Sequence, residues 1–361
     1  MSASLLMLTR RPRVAAIAIG TALAISIPVA TASAASTHPS SPAVSTAVHC
    51  TKRLPMEPPP LGVIKPLPGR PLRVIGKPPG PVVAPSPKPV CPPGQVPVIK
   101  NVILPHGNPD QAVRLRRGAA PQALIEQPCE GTEEYGGCYY WASASDTRND
   151  QGGGVTMTIE NPSVVPTPTV GTGHSLEEMS VQGGSADGNI VEIGSTVLSG
   201  TDYPQLFVYH WLGWKGTCYN GCGWQQYSST YYPGMPLLSM VGDSVYNGYV
   251  FYQGYWWAWF NDQWLGRFPG SIWDGQFEQS QQVQWFGEVA ATAGVPPQTQ
   301  MGDGLFASNP AAAPMSTLCD VNAAAWRCYY YNQQTLYQSE TAFYTIADTG
   351  YGATRLGGPG T

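Results

Sequence analysis

At 361 residues, of which only 12% are charged, the chain is long enough for one large all-β domain and a smaller appendage. Residues 35–117 carry eleven Lys and Arg against two acids, Glu57 and Asp110, about +9; after Arg117 five of the 19 basic residues face 21 of the 23 acids, near −16. Such a negative surplus excludes nucleic acid as the partner of the larger part and suits a protein that works in acid, where protonation relieves self-repulsion.

Met1 to Ala34 reads as a secretory signal peptide: Arg10, Arg11 and Arg13 are its charged region, Val14 to Ala30 its apolar region, and Ala32-Ser33-Ala34 its cleavage site. The apolar run is short for a membrane span and no other follows, so a secreted, extracellular protein with no retained membrane anchor is expected. Arg10-Arg11 leaves a twin-arginine export route open. Eight cysteines in an exported chain imply disulfides, and neighbour spacing pairs Cys50 with Cys91, Cys129 with Cys138, Cys218 with Cys222 and Cys319 with Cys328. No Cys/His pattern has zinc spacing, and no metal or organic cofactor is expected.

Residues 35–118 form a Pro-rich, basic and largely irregular segment, with runs such as Pro58-Pro59-Pro60 and Pro78-Pro79-Gly80-Pro81 that favour polyproline II and cannot build a core alone. It reads either as a cell-wall spacer or as a propeptide whose positive charge lies over the acidic domain and inhibits it. Cys91 to Ile99 is a more ordered island within it. Arg114-Leu115-Arg116-Arg117-Gly118 is an exposed processing region.

Residues 119–361 form the globular domain. Gly137 to Ala144, Gly154 to Ile159, Leu176 to Gln182, Asn189 to Val197 and Gln205 to Trp211 read as short strands separated by turn residues. Cys218-Tyr219-Asn220-Gly221-Cys222 reads as a disulfide-closed turn. Tyr249 to Phe260 is too continuously aromatic for a one-sided strand and suits a hairpin, part core and part groove lining. With no sign of βαβ repeats, the fold class is all-β, an antiparallel β-sandwich.

Two strand-like stretches each carry an outward carboxylate. In Gln282 to Val289, period-2 alternation puts Val283, Trp285 and Val289 on one face and Gln282, Gln284, Phe286 and Glu288 on the other; Asn189 to Val197 places Glu192 among β-branched residues. If the fold joins them, like-charge repulsion keeps one protonated and one ionised, as acid-acting hydrolases require. Serine chemistry lacks support, because neither Gly242-Asp243-Ser244 nor Gly183-Gly184-Ser185 completes Gly-x-Ser-x-Gly, and only His174 and His210 remain as bases. With 21 acids in this part, a chance pair of carboxylates is common, so the residues alone do not single out these two.

Several stretches, in the same order, resemble the neprosin family of glutamic peptidases, secreted β-sandwich prolyl endopeptidases. Cys91-Pro92-Pro93-Gly94-Gln95-Val96-Pro97-Val98 is similar to the Cys-Pro-x-Gly-x-x-Pro motif of the family's propeptide. Ser175 to Gly183, Val191-Glu192-Ile193-Gly194, Leu206-Phe207, Gly216-Thr217-Cys218-Tyr219-Asn220 with Cys222, Trp285-Phe286-Gly287-Glu288-Val289 and Thr299-Gln300-Met301-Gly302-Asp303-Gly304 follow. The resemblance implies that Glu192 and Glu288 are the catalytic pair. It further implies a secreted zymogen of an acid-active endopeptidase that cleaves after proline, with proline-containing proteins or peptides as substrates and its own propeptide as inhibitor. Glu178-Met179-Ser180-Val181 stands where plant members often carry Gln-Ile-Trp-Val, and Ser195 where Trp is common, so Glu178 adds a third acid that mimics or tunes the pair. The alternative from another class is a secreted polysaccharide- or cell-wall-binding module with a Pro-rich spacer; a glycosidase with the same carboxylates is a third.

Overall fold

The computed structural model describes residues 48–60, 88–99, 137–166, 173–183, 187–292, 296–322, 327–330 and 334–361. The expected signal peptide, the expected processing region from Arg114 to Gly118 and most of the Pro-rich tract lie outside the described residues.

Within residues 35–118, β1 (Val48–Lys52) pairs antiparallel with β2 (Gln95–Ile99), placing Cys50 opposite Pro97, and a Cys50–Cys91 disulfide ties the two stretches. The larger part follows as β3 (Gly137–Asp150), β4 (Gly152–Thr158), β5 (His174–Gln182), β6 (Ile190–Leu198), β7 (Gln205–Leu212), β8 (Lys215–Gly216), β9 (Gln225–Gln226), β10 (Ser244–Tyr252), β11 (Tyr255–Phe260), β12 (Gln263–Pro269), β13 (Ser280–Thr292), β14 (Pro314–Asn322), β15 (Arg327–Tyr330), β16 (Thr335–Gln338), β17 (Thr345–Asp348) and β18 (Thr354–Gly357). Among the described residues no helix is long and apolar enough to cross a membrane.

Two antiparallel sheets result, as the strand pattern implied. One has the order β16-β3-β13-β5-β6-β7-β8, and the other β17-β18-β14-β4-β10-β11-β12-β9, with β15 added on β14. Their inner faces meet in one core that includes Met157, Val181, Val191, Ile193, Val208, Trp256, Phe260, Phe268 and Trp285. Trp285 is fully buried and donates from Nε1 to the Gly154 carbonyl at 3.0 Å, which joins the two sheets through a satisfied indole.

The Tyr249 to Phe260 stretch is a hairpin of β10 and β11, with Tyr252 opposite Tyr255. Its two-residue turn, Gln253 (φ 49°) and Gly254 (φ 80°), has positive φ at both positions, the geometry whose twist matches paired strands. Tyr249, Phe251, Trp256 and Phe260 enter the core between the sheets, while Val250, Trp257 and Trp259 face outward from the second sheet. These aromatics therefore lie away from the face that bears Glu192 and Glu288.

Candidate active site

The period-2 expectation for Gln282 to Val289 holds in β13: Val283, Trp285 and Val289 enter the core, and Phe286 joins the cluster on the outer face of the first sheet. Alternation in β6 sends Val191 and Ile193 inward and Ile190 outward, so Glu192 shares that outer face with Glu288. The two strands are separated by β5 alone. Glu178 on β5 pairs with Gly194 of β6 and Phe286 of β13, while Glu192 sits opposite Ser180 and Glu288 opposite Leu176. Glu178 is thus a diagonal neighbour of both glutamates, within reach of long side chains. Gly194 makes room for it: a Cβ there would lie 2.6 Å from the Glu178 Cβ and 2.1 Å from the Glu177 carbonyl oxygen.

The flanking strands hold the two carboxylates differently. Glu288 faces Trp141 directly across on β3 and takes its indole N–H on Oε2 at 2.5 Å. Its Oε1 lies 2.8 Å from Nε2 of His174, at the start of β5. Two ring nitrogens of this kind suit an ionised carboxylate, because hydrogen bonds to the charged form favour it. Among the described residues Glu192 instead receives one hydrogen bond, from Trp211 Nε1 to Oε1 at 3.0 Å, and its buried Oε2 has no partner. Burial first, then the Glu288 charge, push the Glu192 carboxyl up to about 8, against the opposing Trp211 hydrogen bond. Glu178 is held well above the usual carboxylate range by burial, then by Glu192 and Glu288, and its Oε2 also lacks a partner. The three side chains are 1–3% exposed although they stand on the outer face of a sheet.

An aromatic surround completes the site. The Cys218–Cys222 disulfide closes the expected turn, in which Asn220 (φ 57°) accepts from the Val208 N–H at 3.0 Å and so ties the turn to β7. That places Tyr219 against Phe207, ring centroids 5.1 Å apart and stacked, on the carboxylate side. The Tyr219 phenol is held well above its ordinary value by burial, with Glu178, Glu192 and Glu288 adding to the shift and a Thr196 hydrogen bond opposing it. Sequence reasoning missed the partners Trp141, His174 and Trp211, since their approach depends on register across strands; alternation along each strand was the one signal that pointed to their face.

Elsewhere the structure disposes of the other candidates. His210 is buried against Phe268 and Trp273, and burial lowers its pKa to about 4, so it is no general base for a serine. Gly242, at φ 85°, makes the Gly242-Asp243-Ser244 stretch a turn; Gly184 and Ser185 lie outside the described residues. Cys138 and Cys319 are disulfide-bonded. Their expected partners, Cys129 and the side chain of Cys328, lie outside the described residues.

Residues 171–359, more than half of the chain, match the family model described as Neprosin. The chain belongs to the neprosin family. Among solved structures it is similar to Scytalido-glutamic peptidase with a transition state analog inhibitor, at 10% identity and a TM-score of 0.39 over 61% of this chain and 98% of that one. A second structure of that peptidase, with a peptide based transition state analog, aligns at 10% identity and a TM-score of 0.35 over 62% and 99%. SCP-B, a member of the Eqolisin family of peptidases in complex with a tripeptide, aligns at 11% identity and a TM-score of 0.33 over 61% and 98%. No curated protein matches.

Proposed function

We propose that this chain is a secreted, acid-active glutamic endopeptidase, made as a zymogen and cleaving after proline. The observation that carries the proposal is the unequal treatment of two glutamates on one sheet face: Glu288 with two ring donors, Glu192 with one and a strong bias toward its protonated form. Glu288 is the base that draws a proton from the attacking water. Glu192, protonated, donates to the scissile carbonyl and stabilises the oxyanion as charge develops there. The proton taken by Glu288 then passes to the leaving amine. With Glu192 pushed up to about 8, this division holds from acid to neutrality, and the acid preference rests on the family resemblance and on the negative surplus of the larger part.

The preference for proline rests on the family resemblance and is supported by the flat rings of Trp141, Tyr209, Trp211 and Tyr219 beside the carboxylates, which suit a pyrrolidine ring. The zymogen reading is supported by the near-complete burial of three outward-facing carboxylates, which a peptide reaches only when their cover moves. Among the described residues, the stretch from Arg53 to Pro59 meets the second sheet through a guanidinium over the Tyr227 ring, Met56 packing and a Trp264–Pro59 hydrogen bond, with no ion pair to an acid, which weighs against a latch held by paired charges there. Disulfides in both parts of the chain suit an oxidising, extracellular location. Incubating the purified protein at pH 3 to 7 with a proline-rich protein and mapping the new termini tests the proposal: termini following proline, produced fastest in acid, are expected. No cleavage at any pH, with binding to cell-wall polysaccharide instead, favours the binding-module alternative.

A further inference from the structure

The outer face of the second sheet is an aromatic surface remote from the carboxylates, built around Val250, Trp257, Trp259 and Trp264 and edged by Tyr227 and Tyr255. A stretch of the chain's own Pro-rich segment lies on it. Arg53 stands over the Tyr227 ring at 5.3 Å, Met56 packs against the cluster, and the Pro59 carbonyl accepts from Trp264 Nε1 at 3.0 Å. Pro59 is buried and Arg53, Met56 and Pro58 are half-buried, whereas Leu54, Pro55, Glu57 and Pro60 are exposed. Contacts at positions 53, 56 and 59 recur every three residues, which is the repeat of a polyproline II helix, and Pro58-Pro59-Pro60 fixes φ in that region. An indole N–H bonded to a proline carbonyl on a floor of rings is how proline-rich segments are recognised, because the ligand arrives already ordered. A second indole donor is buried on the same face: among the described residues Trp257 Nε1 has no acceptor.

We infer that this face is a binding site for extended proline-rich polypeptide, filled in cis by Arg53 to Pro60 and, once that stretch leaves, open to a proline-rich part of a protein substrate. The second half of the inference rests on the zymogen reading above. The site and the carboxylates lie on different sheets and face apart, so a chain held here is cut at another point along its length. Long proline-rich proteins gain from such a hold, and short peptides do not.

The test reads binding without turnover, in a full-length Glu288→Gln background, so its failure leaves the peptidase proposal untouched. Met56→Ser, Pro58→Gly and Pro59→Gly together unseat the cis segment. A dye-labelled peptide of the Arg53 to Pro60 sequence is then titrated by fluorescence anisotropy at fixed pH. The unseated chain is expected to bind it at least about tenfold more tightly than the chain with its segment intact. Adding Trp264→Phe, which keeps a ring and removes the donor, should weaken binding about fivefold, as the loss of one hydrogen bond implies. If the triple variant does not fold, Met56→Ala alone carries the test, with the same ordering and a smaller gain. The inference is overturned if a folded, unseated chain does not bind the peptide, if Trp264→Phe leaves affinity unchanged, or if the face takes a β-glucan oligosaccharide in place of the peptide.

Discussion

His174 Nε2 lies 2.8 Å from Glu288 Oε1, a buried contact between the first residue of one central strand and the glutamate of its neighbour. With Glu288 ionised, the ring nitrogen donates, and the carboxylate accepts from His174 on one oxygen and from Trp141 on the other.

Replacing His174 by Ala removes one of those donors. A hydrogen bond to a charged group contributes about 1.5–3 kcal/mol, so kcat/KM is expected to fall about ten- to a hundredfold. The acid limb of the pH profile should move to higher pH, because the unsupported carboxylate takes up a proton more readily. His174→Gln, which keeps a donor, should restore part of the loss. An acid limb that stays in place in His174→Ala would show that the contact does not set the state of Glu288.

Glu178 is expected to work uncharged. Burial, Glu192 and Glu288 all disfavour its ionisation, so a neutral amide of the same shape should serve. Glu178→Gln is expected to keep kcat/KM within a factor of about 5, the equivalent of about 1 kcal/mol, with both limbs of the pH profile unmoved. Loss of activity, or a shifted limb, would make Glu178 a member of the titrating pair.

A second acidic group lies on the inner side of β5. The Glu160 carboxyl is pushed up to about 7 by burial and then by Asp303, and Glu177 is raised well above the usual range by burial, Glu160 and Asp303. A carboxyl whose pKa in the folded chain exceeds its ordinary 4.5 contributes no penalty below that value, and stability is lost as pH climbs from 4.5 toward 7. Glu177, Glu178 and Glu192, also raised, add to that loss, while His210, lowered to about 4, opposes it below pH 6.5. The Glu160 share is read by difference: relative to the parent, Glu160→Gln should raise the melting temperature more at pH 7.5 than at pH 4.5, and calorimetry showing the same change at both would exclude the group as a source.

The segment that carries Arg53, Met56 and Pro59 is docked through rings and an indole hydrogen bond. Screening acts on charge and leaves apolar packing in place. Limited proteolysis of residues 53–60 at neutral pH should proceed at the same rate in 50 mM and 500 mM salt, values that span about 14 to 4 Å of screening length. Rapid cutting at high salt would restore the electrostatic latch expected from the charge split.

Much of the sandwich was legible because alternation is a local property. Val283, Trp285 and Val289 against Phe286 and Glu288 gave the two faces of β13, and the turn at Gln253-Gly254 lay where the aromatic run had to fold back. The aromatic hairpin did not say which of its faces was which, since Trp256 and Trp257 are both buried, one inside the sandwich and one beneath the Pro-rich segment. Register was likewise hidden. Glu178 beside Gly194, Glu288 opposite Trp141, and Glu192 within reach of Trp211 are relations between strands distant in sequence, and no pattern along one strand encodes them. The threefold contact of residues 53, 56 and 59 escaped notice because a Pro-rich run shows no apolar period of its own.

The most direct test of the central claim is kcat/KM on a proline-containing peptide at pH 4 for acid-processed Glu288→Gln and Glu192→Ala, each checked for fold by circular dichroism. Without its base, Glu288→Gln is expected to show no turnover, and Glu192→Ala, which unlike Gln leaves no donor, to lose at least about a hundredfold, the usual cost of one oxyanion donor. Substantial activity in either folded variant would contradict the division of roles between Glu288 as base and Glu192 as acid.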